Sequence, residues 1–340
     1  MSARRQEPGG WDSNGLVVFG GNASSELTDK ICNYLEVSRG EAMISRFPDG
    51  ETLVKVEHDV RGKDCFVVQS TCPPVNDTLM ELLIFIDCLR RASAKRITAV
   101  LPYYGYARQD RKSEGRTPIT AKLVANMLAT AGADRVLTMN LHADQIQGFF
   151  DIPVDHLTAV PVLARHFQDR KVEDRVLVSP DVGNIKFGGD FASRFGSELA
   201  VIHKRRLTSD ETVAVNIIGS VSGRNVMMFD DMITTASTVC EAAKLVRKHG
   251  AEGVYVAATH GVFASLAVER LAAAELNEIV VTDTIPIGSK IRERLSNLTV
   301  LSVSDLIGEA IRRIHEHRSV SALFIQAPEG DRLGDGSSDT

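Results

Sequence analysis

Residues 225–239 read Asn-Val-Met-Met-Phe-Asp-Asp-Met-Ile-Thr-Thr-Ala-Ser-Thr-Val. Val226 to Phe229 form a short apolar run without alternation, as expected of a strand buried on both faces of a parallel sheet. Asp230 and Asp231 follow at its C-terminal end, the edge where open α/β sheets place their ligand crevice. Thr234, Thr235, Ala236, Ser237 and Thr238 come next, and a helical pattern then runs to Lys248. The paired carboxylates can accept hydrogen bonds from a vicinal diol such as a ribose. Hydroxyls and free N–H groups at a helix start can hold a phosphate. Two acids followed by Thr and Ser also make an ordinary turn with an N-cap, so the stretch alone admits both readings.

The rest of the composition narrows the class. A chain of 340 residues, 44% hydrophobic and 24% charged, suits two soluble domains, each with its own core. A net charge of −5 leaves no overall basic field to attract nucleic acid. The five cysteines (Cys32, Cys65, Cys72, Cys88, Cys240) are odd in number and lack C-x-x-C spacing. That argues against a disulfide framework or a zinc site and for a reducing compartment. No apolar run approaches the roughly 20 residues that cross a bilayer, and no signal-peptide core opens the chain. The expectation is a cytoplasmic protein without a nucleic-acid or membrane partner.

Outward from the central stretch, the units alternate between apolar strands and amphipathic helices. Residues 1–14 read as a disordered leader, 15–158 and 159–326 as two α/β domains, and 327–340 as a disordered tail. Leu16 to Phe19, Cys65 to Ser70, Ile97 to Leu101, Val176 to Asp181 and Val201 to Arg206 read as strands. Asp77 to Ala92, Phe263 to Ala274 and Ser304 to His315 read as helices, and Ala322 to Ile325 as a closing strand. Pro48-Asp49-Gly50 is a hairpin turn. Thr117, Thr120, Gly132, Val136 and His142 recur as Thr235, Thr238, Gly250, Val254 and His260 at one offset, which predicts a duplicated unit. Tyr103 to Lys112 joins tyrosines to Arg108, Arg111 and Lys112. Such a loop suits polyphosphate, whose charge it can neutralise, or a nucleic-acid surface. His203 to Arg206 is a cationic turn that either sits in solvent or opens a flap over phosphates.

Several of these runs resemble one family, the ribose-phosphate diphosphokinases. The 230–238 stretch is similar to its ribose-binding loop, with Thr234 in place of an Asp and Ser237 in place of a Gly. Phe47 to Glu51, Tyr106 to Lys112 and Leu141 to Asp155 look like further signatures, and the resemblance spans about residues 16–326. It implies two tandem phosphoribosyltransferase-like (type I) doubly wound α/β domains with mainly parallel sheets. It implies Mg²⁺-dependent transfer of a diphosphoryl group from ATP to ribose 5-phosphate, yielding phosphoribosyl diphosphate and AMP. By that resemblance Phe47, Asp49, Gly50, Glu51, Arg108, Gln109 and His142 bind ATP. His142, Asp181, Asp151 and Asp155 serve the metal, Lys204 and Arg206 are catalytic, and Arg206, Asp230, Asp231 and residues 234–238 take ribose 5-phosphate. The family also implies a homo-oligomer, a hexamer, whose ATP site is shared between subunits. Asn140 and Ser113 stand where relatives carry Asp, and Asn184 where they carry Gly. A phosphoribosyltransferase and a non-catalytic regulatory subunit are the competing readings.

Overall fold

The computed structural model describes residues 13–170, 172–180, 196–206 and 213–323, with backbone alone at 203–206, 213–215 and 322. The first half carries strands β1 (Leu16–Gly20), β2 (Ala42–Arg46), β3 (Thr52–Val56), β4 (Asp64–Val68), β5 (Arg96–Leu101), β6 (Arg135–Met139) and β7 (Val154–Leu157). Its helices are α1 (Ser25–Leu35), α2 (Val75–Arg91) and α3 (Thr120–Ala131). After α4 (Val160–Asp169) come β8 (Arg175–Ser179), β9 (Glu198–Arg206), β10 (Val213–Ile218), β11 (Asn225–Ile233), β12 (Gly253–Gly261), β13 (Glu278–Thr282) and β14 (Leu298–Leu301). The helices of this half are α5 (Ser237–Lys248), α6 (Ala267–Ala273), α7 (Ser289–Arg294) and α8 (Ser304–His315).

Two sheets result. The first has the order β1-β4-β5-β6-β7 and the second β10-β9-β8-β11-β12-β13-β14. All neighbours in them are parallel except β10, which returns antiparallel to β9. A parallel bridge between Val18 and Arg39 extends the first sheet beyond β1, so both sheets reverse direction beside their first strand. Those reversals are the switch points at which open α/β sheets form crevices.

The period of two along each strand divides its side chains between two cores. Leu16 and Val18 of β1 face inward, while Val17 and Phe19 face outward. Met227 and Phe229 of β11 likewise face inward, and Val226 and Met228 outward. The inner core lies between the two sheets and is filled by α1, α4 and α8, through Ile31, Leu35, Phe167, Ile307, Ile311 and Ile314. The outer faces are covered by α2 and α3 on one side and by α5 and α6 on the other. This is the doubly wound α/β class expected.

Several details differ from expectation. The α8 helix, which falls in the second of the two expected domains, also packs on the first. Its Glu309 accepts from the Tyr34 hydroxyl (3.1 Å), its Ile314 carbonyl from Arg96 (3.0 Å), and His315 pairs with Asp64 (2.8 Å). Phe263 and Ser265 adopt left-handed φ values of 45° and 55°, so no helix forms before Ala267. Ser321–Leu323 is a 3-10 turn, and the rest of the expected closing strand, 324–325, lies outside the described residues. The constant-offset repeat is also out of step with the topology. Counted from the switch points, β4, β5 and β6 correspond to β11, β12 and β13. His142 follows the third of these strands and His260 ends the second. The two halves share an architecture, but those two histidines are not equivalent positions.

Candidate active site

The second switch point has a simple geometry. β8 pairs with β9 up to Ser179–Val201 and with β11 up to Val178–Met228. Both neighbours then run on beyond it, β9 to Arg206 and β11 to Ile233. Two strand spacings separate these walls, about 10 Å, enough to admit a sugar phosphate. Asp230 and Asp231 therefore sit within the overrunning strand rather than after it. Lys204 and Arg206 lie on the backbone of the facing wall, paired with Val215 and Val213 of β10. Asp181, Asn184 and the tip of the expected flap lie outside the described residues.

Asp231 reaches across to the other half. Its Oδ2 is 2.7 Å from His142 Nδ1, with side-chain exposures of 17% and 40%. The backbone N–H of Asp231 also donates to Asp230 Oδ1 at 2.8 Å. Burial pushes the Asp231 carboxyl up. Hydrogen bonds from His142 and with Asp230 outweigh burial and hold it below the usual range. The same bond raises the His142 ring, against burial and the nearby Arg108 charge. When neutral, His142 donates from Nδ1 to the carboxylate and keeps its lone pair on Nε2. This is the carboxylate-oriented form in which histidines serve as metal ligands.

The phosphate-type loop follows. Ala236, with φ 60°, takes the left-handed position, and Ser237 is the first residue of α5. Ser237 in place of Gly therefore leaves the turn intact, because the strained backbone lies one residue earlier. The Thr234 carbonyl accepts from the Ala264 N–H (2.8 Å) and the Thr235 carbonyl from Arg270 (2.7 Å). Thr235 and Ser237 hydroxyls are 3.4 Å apart. The first N–H groups of α5, from Ser237 and Thr238 onward, have no intrahelical acceptor and are available to an anion.

On the other side, Arg108 and Gln109 are exposed in the loop after β5. Gln109 is held by the Thr120 hydroxyl, and Asp110 by Gln145 (3.0 Å). Phe47, 47% exposed, tips the β2–β3 hairpin. Its N–H donates to the Glu51 carbonyl (2.8 Å), the Glu51 N–H donates to Asp49 Oδ1 (3.1 Å), and Gly50 supplies a φ of 96°. Among the described residues, no hydrogen bond or ion pair joins this hairpin to Arg108, Gln109 or His142.

Two further carboxylates expected at the metal are placed as follows. Asp151 is exposed and pairs with Lys122 at 3.1 Å. Asp155 lies in β7 and pairs with Arg135 at the N-terminal start of β6, the end of the sheet away from His142. Both carboxylates are matched by cations of their own half. Among the described residues, no three His, Cys, Asp or Glu side chains gather into a metal cluster. Asn140 is likewise structural. Its Oδ1 accepts from the Ala159 N–H (2.8 Å) and the Thr259 hydroxyl (2.9 Å).

Sequence reasoning missed His156, Arg270 and the contacts of His260. His156 Nε2 accepts from the Leu141 N–H at 2.8 Å, and burial lowers its pKa. Each of these contacts spans 15 residues or more, and no local pattern signals them.

Residues 16–132 match the family described as N-terminal domain of ribose phosphate pyrophosphokinase. Residues 205–325 match the phosphoribosyl synthetase-associated domain. A ribose-phosphate pyrophosphokinase of Rhodopirellula baltica is 54% identical over 91% of this chain and 98% of its own. One of Synechococcus elongatus is 50% identical over 92% and 95%. The crystal structure of phosphoribosylpyrophosphate synthetase from Mycobacterium smegmatis superposes with a TM-score of 0.84. It is 44% identical and covers 89% of this chain and 99% of that one. With relatives half identical over nine-tenths of its length, the chain belongs to the ribose-phosphate pyrophosphokinase family of enzymes.

Proposed function

We propose that the chain transfers the β,γ-diphosphoryl group of ATP to the C1 hydroxyl of ribose 5-phosphate across the junction where His142 meets Asp231. The 2.7 Å contact between those side chains carries the reading. It joins the loop expected to bind the triphosphate to the strand expected to bind the sugar. Asp230 and Asp231 would accept hydrogen bonds from the ribose hydroxyls. Residues 234–238 would hold the 5-phosphate on hydroxyls and helix-start N–H groups. The C1 oxygen attacks the β-phosphorus in line, the new O–P bond forms as the α–β bridge breaks, and AMP leaves with the bridging oxygen.

His142 Nε2 and Asp181 would hold a Mg²⁺ ion. Two protein donors fit an ion that normally keeps several waters and phosphate oxygens in its shell. Bound there, Mg²⁺ would neutralise charge building on the transferring group. Lys204 would stabilise the same charge, with Arg206 assisting. Arg108 and Gln109 would orient the triphosphate, so the protein's part is positioning and charge compensation. The exposed Phe47 to Glu51 hairpin supports a homo-oligomer in which it reaches the adenine of a neighbouring subunit's ATP.

The test is release of AMP from MgATP that depends on ribose 5-phosphate. Lys204→Ala is expected to lower kcat by ~10²–10³-fold, the usual cost of losing one such group. Equal rates in variant and wild type would remove Lys204 from its role. No turnover in the wild type would favour a non-catalytic partner.

A further inference from the structure

The turn that carries His142 is gripped from the other half of the molecule. His260, near the end of β12, is 1% exposed, and its Nε2 lies 3.2 Å from both the Met139 and the Asn140 carbonyl oxygens. Two carbonyl acceptors at one nitrogen require that nitrogen to carry the proton. Nδ1 is then the acceptor, with the Thr284 hydroxyl 2.9 Å away. Burial lowers the pKa of this ring to about 4, so it is neutral near pH 7. The Tyr103 ring meets it edge-on at a centroid separation of 5.0 Å. Thr259, its neighbour on β12, donates to the Asn140 side chain at 2.9 Å.

What is gripped is a tight turn. Asn140 adopts φ 39°, a left-handed conformation that Asn tolerates better than most residues. His156 holds the following N–H, that of Leu141, from the first half. His260 holds the two preceding carbonyls from the second. Strand register links this to the sugar side, because His260 pairs with Met232 of β11, the residue after Asp231.

We propose that His260 is a positioning residue: it registers the His142 turn against the strand that carries Asp230 and Asp231, and so sets the approach of the two substrates. This rests on the role given to His142 above. The catalytic groups of the two halves are then aligned by a neutral, buried side chain that touches neither substrate.

The experiment compares His260→Phe, which keeps a ring but loses the donor, with His260→Gln, whose amide can still reach a carbonyl. In the Phe variant kcat should fall ~10–100-fold, as small misplacements in a reacting site do, with the KM for ribose 5-phosphate changed less than about 3-fold. His260→Gln should recover kcat to within about 5-fold of wild type, since the donor survives. Combined with His142→Ala, His260→Phe should add less than about 2-fold, because a residue acting through His142 has nothing left to act on. Hydrogen exchange should speed up in peptides covering 139–148 and stay unchanged in β4 and β5.

Multiplying rather than merging losses would overturn the proposal, as would a Phe variant with wild-type kcat or with unchanged exchange at 139–148. Wild-type activity in His142→Ala alone would instead sink the reading of His142. The exchange data would then still decide whether His260 orders the turn. If the Phe variant does not fold, His260→Asn, whose amide falls short of the carbonyls, takes its place with the same expectations.

Discussion

The two switch-point crevices share one topology and have opposite contents. In the first half, Glu81 fills the crevice from α2. It is 6% exposed and accepts from the Asn22 N–H (2.8 Å), Asn22 Nδ2 (2.7 Å) and Gln69 Nε2 (2.9 Å). Gln69 accepts in turn from the Ala23 N–H at 3.2 Å. The loop closes so tightly that a Cβ on Gly21 would lie 2.4 Å from the Gln69 side chain. The chain's own carboxylate thus occupies the place where a doubly wound sheet would take a ligand's anion. In the second half, β9 and β11 overrun β8 and leave Asp230 and Asp231 at an open edge. A duplicated architecture can therefore seal one crevice for stability and keep the other for chemistry. The sealed half offers instead the loops after β5 and β6, one and two strands further along.

Four substitutions or conditions sharpen or break this contrast. Asp231→Ala removes the carboxylate on which both sides converge, and should lower kcat by about 10²-fold in the AMP-release assay, as loss of a preorganised site group does. Glu81→Ala should do the reverse. Leaving its donors buried without an acceptor should cost about 3 kcal/mol in denaturant unfolding, with kcat within a factor of about 2 because no site loop is touched. A large loss of turnover in Glu81→Ala would mean that the first crevice is not merely sealed. Arg270→Ala removes the support under the Thr235 carbonyl and should raise the KM for ribose 5-phosphate about 5-fold, near 1 kcal/mol, with little effect on kcat.

The smallest effect is electrostatic. The His142 pKa is raised in the folded protein, so its pairing with Asp231 stabilises fully below about pH 6.5, its ordinary value. That contribution is lost as the pH rises through the higher folded value. In metal-free protein, the difference in melting temperature between wild type and His142→Asn should be largest near pH 6 and shrink at alkaline pH. With His142 40% exposed, it should amount to at most about 1 kcal/mol. A difference that grew with pH would contradict the pairing.

Much of this was legible locally. The apolar run at Val226 to Phe229 marked a doubly buried strand, and the pattern from Ser304 to His315 matched α8 residue for residue. The contact between His142 and Asp231, 89 residues apart, was not among the readings of the sequence. What could not be read depends on partners far away in the chain. The pairing of Asp155 with Arg135, 20 residues away, had no local signal. The bond from Thr259 to the Asn140 side chain spans 119 residues and was equally invisible. The constant-offset repeat misled because a Gly cap, a strand and a His recur in any α/β unit, whereas equivalence is set by sheet order.

The packing of α8 against α1 has a consequence for how the protein is born. Ile31 and Leu35 of the first helix lie in one core with Ile307, Ile311 and Ile314 of the last. On the ribosome, the apolar stripe of α1 waits for a partner that emerges roughly 15–50 s later at ordinary synthesis rates. Until then the nascent first half exposes a sticky surface, which makes it a natural client for a holding chaperone and a poor candidate for expression on its own.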